Sequence, residues 1–179
     1  MALESELLGA FEDHSPDDIR RLLAAGASPT EPIDGKRPID CLIEMYPRTH
    51  RFAECVQVML DAGATTGDPL LEAILLDNEA ALRKLLADSE DGLHRKLSFV
   101  SAFTSCRRVT ALHVCADFNS VSCARVLLEG GADVNAPADQ TPEGIGGQTP
   151  IFHAVNSIFN YCRPMMELLI DEERTWIHA

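Results

Sequence analysis

Six cysteines and six histidines are the residues of this chain best suited to chemistry, and their spacing limits what they could do. A thiolate activated by an imidazole needs the two side chains in contact. His113 and Cys115 are two apart, so on a helix they face different directions. His153 with Cys162 is the other pairing within reach in sequence. Neither pair brings a third group to orient the base, so no nucleophile–base–orienter set emerges. For a metal, there is no Cys-x-x-Cys pair and the ligand spacings of structural zinc are missing; His94 with Cys106 comes nearest. Glycine-rich phosphate loops, His-Glu-x-x-His, calcium-loop and Gly-x-Ser-x-Gly patterns are absent too. The sequence therefore assigns no catalytic residue, no metal ligand and no cofactor, and the expectation is that this is not an enzyme.

The chain carries periodicity instead. Gly26-Ala27, Gly63-Ala64 and Gly131-Ala132 each follow an apolar helical run, spaced 37 and then twice 34 residues apart. Self-similarity at this period marks stacked repeats. Leu3, Leu7, Leu8 and Phe11 have helical spacing. Ser15-Pro16 then caps and opens a second helix over Asp17–Ala25, which Gly26 stops. The next pair is predicted over Pro38–Tyr46 and Phe52–Ala62, with a longer turn at Pro47–His50. A stripped-down third pair follows over Leu70–Leu76 and Ala80–Ala87, turning at Asp77-Asn78 and lacking a Gly-Ala exit. A fourth occupies 110–135. The fifth opens at Thr149-Pro150-Ile151, runs through Asn160, and resumes at Pro164. Pro137, Pro142, Gly144, Gly146 and Gly147 make 136–148 an extended loop. Trp176-Ile177 is unusually apolar for the end of a sequence; these residues fold back over the last pair, or the polypeptide continues.

Thr110-Ala111-Leu112-His113, followed by Leu127-Leu128-Glu129-Gly130-Gly131-Ala132-Asp133-Val134-Asn135, resembles an ankyrin repeat. Asp34-Gly35-Lys36-Arg37-Pro38-Ile39 and Thr149-Pro150-Ile151 are similar to its opening, with Arg37 in the threonine position. The resemblance covers nearly the whole chain. It implies an all-α solenoid of about five stacked helix–turn–helix units in a single domain, 1–179. The repeats fall at 1–33, 34–66, 67–109, 110–142 and 143–179, with an insertion at 88–109 between the third and fourth. In that family the motif threonine caps the first helix, and the histidine bonds across the turn and to the neighbouring repeat. His113 is accordingly a buried, bonded imidazole. At 152–153 the motif is shifted: Phe152 holds the histidine position and His153 follows it.

The 28 acidic and 15 basic residues give a net charge of −13. An evenly acidic surface argues against nucleic acid or an anionic membrane as partner, and no apolar run approaches bilayer length. The acidic start lacks the basic and apolar regions of a signal peptide. The scattered cysteines, Cys41, Cys55, Cys106, Cys115, Cys123 and Cys162, read as small apolar core residues in a reducing, cytoplasmic setting.

One segment departs from this charge pattern. Residues 88–109 sum to +1 through Arg95, Lys96, Arg107 and Arg108, while every other repeat-sized segment is negative. Leu93, Leu97 and Val100 there have helical spacing. The insertion is either a helical lid over the weak third repeat or a binding finger. The resemblance implies protein recognition through hairpin tips and a concave groove, by a monomer binding another protein. The contact residues expected are Glu31, Asp34, Lys36, Arg95, Lys96, Arg107, Arg108, Asp133, Asn135, Asp139 and Gln140. Two alternatives are a regulatory or targeting ankyrin domain of a longer enzyme or effector, and a protein hydroxylated on Asn135, eight residues after Leu127.

The cysteine reading predicts that none of the six is bridged and that reductant leaves the melting temperature unchanged. Mass analysis without reductant checks this, and an intramolecular disulfide would contradict it.

Overall fold

The computed structural model describes residues 2–89, 92–100, 105–155 and 161–177. Its helices are α1 (Ala2–Glu12), α2 (Pro16–Ala24), α3 (Pro38–Glu44), α4 (Phe52–Asp61), α5 (Pro69–Leu75), α6 (Glu79–Ala87), α7 (Ala111–Phe118), α8 (Val121–Glu129), α9 (Pro150–Val155) and α10 (Arg163–Ile177). Strands β1 (Leu97–Val100) and β2 (Ser105–Val109) pair in a two-stranded sheet. The chain divides into two compact units, centred on Met1–Asp68 and on Pro69–Phe99 with Ser105–Ala179. In the first, α1 packs on α2 and α3, and α2 on α4. In the second, α5 packs on α6 and α7, α6 on α8, α7 on α8 and α9, and α10 on α8 and α9. Within each unit, successive helix pairs therefore bury their apolar stripes on one another. Phe11, Ile19, Leu22, Leu42 and Met59 are fully buried in the first unit, as are Ile74, Leu82, Val114 and Leu127 in the second.

Helix starts and stops follow local chemistry. Pro16 sits in the first turn of α2, whose end is capped by the Ser15 hydroxyl accepting from the Asp18 N–H. The Gly-Ala pairs close α2, α4 and α8 with one motif. Gly131 takes a φ of +90°, its N–H bonds the Leu128 carbonyl, and the Ala132 N–H reaches back to Leu127 at 2.9 Å. Ala27 to Leu22 and Ala64 to Met59 repeat the long bond. Only a left-handed residue allows this double closure of helix carbonyls, hence the glycine.

The turns inside the helix pairs use a second left-handed position, filled by His14, Asp77 and Asn119 with φ between +46° and +57°. The residue after each bonds back five positions: Ser15 to Ala10, Asn78 to Ala73, Ser120 to Cys115, all at 2.9 Å. The side chains of His14 and Asp77 then reach the turn of the following helix pair. His14 Nδ1 bonds Thr49 Oγ1 at 2.9 Å. The Asp77 carboxylate accepts from the Cys123 N–H at 2.9 Å and the Ser122 N–H at 3.3 Å, capping α8 from another pair. Ser120 Oγ returns a bond to the Ile74 carbonyl at 2.6 Å.

The helix expected through Leu93, Leu97 and Val100 is corrected. Residues 97–100 form strand β1, with Leu97 buried and Val100 55% exposed. Phe99 faces Phe118 of α7 across 5.9 Å. A β-branched and aromatic composition with inward Leu97 and Phe99 at period two outweighs three leucine-like residues at helical spacing. Helix α3 also ends at Glu44 rather than Tyr46, where Met45 turns to extended backbone ahead of Pro47. The continuation of the fifth pair over 156–160 and the side chains of Trp176 and Ile177 lie outside the described residues. Cys41, Cys55, Cys115, Cys123 and Cys162 are buried free thiols; the side chain of Cys106 is outside the description.

The cap from Asp77 predicts that Asp77→Ala lowers unfolding free energy by about 1–2 kcal/mol, since two amides at the start of α8 lose their acceptor. Urea melts measure it; an unchanged midpoint would mean the cap contributes nothing.

Candidate recognition surface

The first cluster of exposed loop residues lies on the hairpin after α2. Asp34 and Gly35 have φ of +49° and +81°, the pair of left-handed residues that a two-residue hairpin turn demands and that Asp-Gly supplies. Ile33 and Lys36 exchange backbone bonds at 2.8 and 3.0 Å on either side. Asp34 is thereby set at the tip, with Glu31 just before it, its N–H bonded to Ser28 Oγ at 2.9 Å. Lys36 is committed to an ion pair with Glu44. Arg37 grips Asp40 with two bonds of 2.7 and 2.8 Å and donates to the Thr65 and Thr66 carbonyls. The arginine in the threonine position therefore ties one loop to the next, a role the sequence did not reveal.

The second unit brings together three more of the expected residues. Arg108 bonds Asp139 at 2.6 Å, Lys96 lies 3.8 Å from the same carboxylate, and Lys96 Nζ donates to the Pro137 carbonyl at 3.3 Å. Arg108 has φ of +46° and its N–H bonds Ser98 Oγ, a break in the β1–β2 ladder that turns its side chain toward the 136–148 loop. The Arg108 guanidinium holds the Asp139 carboxyl below its usual pKa, with Lys96 adding to the effect. Lys96 and Arg108 of the insertion thus serve an internal link. Arg95 and Arg107 are exposed. Asp133, Asn135 and Gln140 are exposed too, and the Asp133 carboxylate accepts from the Asn135 N–H at 2.9 Å, fixing that turn. A side chain at Gly147 would collide with Gln140, its Cβ meeting Nε2 at 2.5 Å, so the loop closes tightly around this glutamine.

Behind this surface lies the histidine junction. His113 is fully buried. Its Nδ1 accepts from the Thr110 N–H at 3.2 Å and meets Thr110 Oγ1 at 2.8 Å, while Nε2–H donates to the Gln148 carbonyl at 2.9 Å. Thr110 and His113 thus form a capping box at the start of α7, as the motif implies. The shifted His153, not Phe152, occupies the interior. Its ring stands edge-on to His113 at 5.6 Å, with Nδ1 3.7 Å from Asp117, while Phe152 is 46% exposed. Burial depresses the His113 pKa to about 4, against the pull of the Gln148 bond. Both ring nitrogens are occupied, and complete burial pushes the Cys115 thiol well up, so this pair offers neither base nor nucleophile. Among the described residues no group of three His, Cys, Asp or Glu side chains could hold a metal ion, and no described helix is long and apolar enough to cross a membrane.

Paired helices, glycine-closed exits and a buried Thr–His junction define a helical repeat scaffold with an ankyrin-type fold. The family of ankyrin repeats (3 copies) matches residues 48–176. The chain belongs to the ankyrin-repeat family, whose repeats generally mediate protein–protein interaction. No curated protein matches the chain.

The buried histidines predict acid lability at a pH above carboxylate titration. His14 is also held at about 4, by burial and by Arg48. Both stay neutral in the folded chain, while in the unfolded chain they take a proton near pH 6.5. Stability is then fully present above about pH 6.5 and falls as pH drops towards 4. Urea midpoints should decline from pH 7.5 to 5, and His113→Gln should shrink that decline; a flat profile would contradict it. His113→Ala at pH 7.5 should cost about 1–3 kcal/mol.

Proposed function

We propose that this chain is a non-catalytic adaptor that binds another protein through the loops at the ends of its helix pairs. On this reading the five pairs are five repeats of one domain, 1–179, with 88–109 inserted between the third and fourth. It acts as a monomer in the cytoplasm, binds neither nucleic acid nor membrane, and requires no cofactor. The observation that carries it is a division between buried and exposed polar groups. His113, Ser120 and Asp77 bond backbone at helix ends. Glu31, Asp34, Asp133, Asn135 and Gln140 stand exposed on loops that backbone bonds hold in shape, and Arg107 stands exposed on strand β2. Loops ordered before contact lose little entropy on binding, which favours affinity from few residues.

The insertion contributes to this surface mainly through Arg107, because Lys96 and Arg108 share Asp139. A net charge of −13 makes this arginine a local exception in the chain's field. It is suited to steering an acidic patch of the partner during encounter.

The test begins with affinity capture on the full chain and identification of the partner by mass spectrometry. Its binding is then measured for a triple variant, Asp34→Asn, Arg107→Ser, Asn135→Ser, beside thermal melts. Exposed substitutions should each change stability by less than about 0.5 kcal/mol, while Kd should rise about tenfold or more, a loss of about 1.4 kcal/mol. Unchanged binding would remove these loops from the interface.

A further inference from the structure

In the second unit one helix face lies open where its counterpart in the preceding pair is closed. Helices α7 and α9 share a register: the His113 N–H bonds the Thr110 carbonyl at 3.1 Å, and the Phe152 N–H bonds the Thr149 carbonyl at 3.0 Å. Phe152 therefore corresponds to His113. Val155 corresponds to Ala116, three residues on and on the same side of the helix. On α7 this side is covered by the α9–α10 pair. The His113 imidazole donates to the Gln148 carbonyl and stands edge-on to His153, and His113 and Ala116 are both 0% exposed. On α9 the same side is open, with Phe152 46% and Val155 57% exposed. Helix α9 packs on α7 and α10, and neither shields these two side chains.

The exposure is selective. Helix α8 exposes Arg125 and Glu129, and α10 exposes Arg163, Glu167 and Glu173. The exposed residues of α9 are Phe152 and Val155, and it carries no carboxylate, lysine or arginine. A solvated outer face in a repeat array is normally polar, for solubility. Here the polar His113 position holds phenylalanine and the small Ala116 position holds the larger valine.

What covers α7 indicates what α9 is shaped for: another helix lying alongside, continuing the packing of α5 on α7 and α7 on α9. A helix bonds its own backbone, so it can set an apolar stripe on Phe152 and Val155 at no polar cost. An extended segment would press unbonded N–H and C=O groups against them. The junction on α7 asks its neighbour for a carbonyl, whereas Phe152 has no polar atom and asks only for apolar contact. A second copy of this chain is disfavoured, because each copy brings a net charge of −13. We infer that this face of α9 seats an amphipathic helix of the protein partner, its apolar stripe on Phe152 and Val155 and its flanks neutral or basic. The inference rests on the protein-binding reading above and adds a second contact surface, with the form of the element it binds.

The experiment uses the full chain labelled with ¹⁵N. The probe is a helical peptide, acetyl-AKALAKALKALAKALA-amide, with leucines along one side and lysines along the other; its control has glutamine at every leucine and the same charge. Amide shifts are followed to millimolar peptide for the native chain and for Val155→Gln, a change at an exposed position that leaves the spectrum's dispersion intact. The leucine peptide should give saturable shifts concentrated on residues 149–155, and the control none there. Val155→Gln should weaken it about threefold or more, the scale of part of a buried valine. Equal affinity for the control would trace binding to charge alone, and shifts spread over the acidic surfaces would remove α9 as the seat; either overturns the inference. Two other occupants would show themselves in the free chain. A dimer in sedimentation that Val155→Gln dissociates would give the face to a second copy, and methyl contacts of Val155 with residues 174–179 would give it to the chain itself; either again overturns the inference. If the captured partner depends on the loop residues while the leucine peptide leaves residues 149–155 unmoved, this inference falls and the adaptor reading stands. If the peptide binds as described while the partner ignores the loops, the loop surface falls and the α9 face stands.

Discussion

Short helices cannot satisfy their own ends, and the structure depends on how that need is met. An α-helix leaves four N–H groups at its start and four carbonyls at its end without internal partners. Helices α3 and α5 have seven residues each and α9 has six, so most of their backbone polar groups are end groups. Such helices are marginal alone. Here helix ends in the first four pairs are closed by left-handed residues, and side chains reach across pairs. Gly26, Gly63 and Gly131 close the outer helices; His14, Asp77 and Asn119 turn the chain between helices. The Asp77 carboxylate on α8 and the His113 imidazole on Gln148 carry the same logic between pairs. Apolar burial supplies the attraction, and these bonds fix which helix ends meet.

This arrangement explains why the polar interior is a poor place for chemistry and the exterior a good place for recognition. Desolvation keeps the imidazoles of His14 and His113 and the thiols of Cys55, Cys115 and Cys123 neutral. The loops project beyond the last bonded turn, where residue identity has little effect on packing. Asp34 at a tight hairpin tip and Asn135 in the Asp133 turn are set by backbone geometry rather than by contacts that a partner would need to break. Lys96, Arg108 and Asp139 mark the exception, using charge to join the β1–β2 segment to the 136–148 loop.

Much of this was legible in the sequence because its signals are local. Proline at the starts of α2, α3, α5 and α9 and glycine after α2, α4 and α8 mark boundaries through their own backbone preferences. What was not legible depends on distant partners. Asp77 looks like an ordinary turn residue until Ser122 and Cys123, 45 and 46 positions on, are seen to need an acceptor. The link from Arg108 to Asp139 spans 31 residues, and nothing in either segment announces the other. The strand at 97–100 was obscured because Leu93, Leu97 and Val100 happen to satisfy a helical period, while the competing alternation of Leu97 and Phe99 is only two residues deep. The exchange of roles between Phe152 and His153 is a one-residue shift that only packing against His113 can resolve. For the proposed recognition surface, the sequence could not tell that Lys36, Lys96 and Arg108 were already paired.

Native-state hydrogen exchange at the Cys123 amide tests most directly whether bonds between neighbouring pairs hold the helix ends. This N–H lies in the first turn of α8, where an isolated helix has no partner for it, and its acceptor is Asp77. The account predicts that it exchanges as slowly as the interior amides of α7 and α8, opening only when the packed helices open together. Exchange at the rate of a frayed helix start, with α7 and α8 still protected, would contradict it.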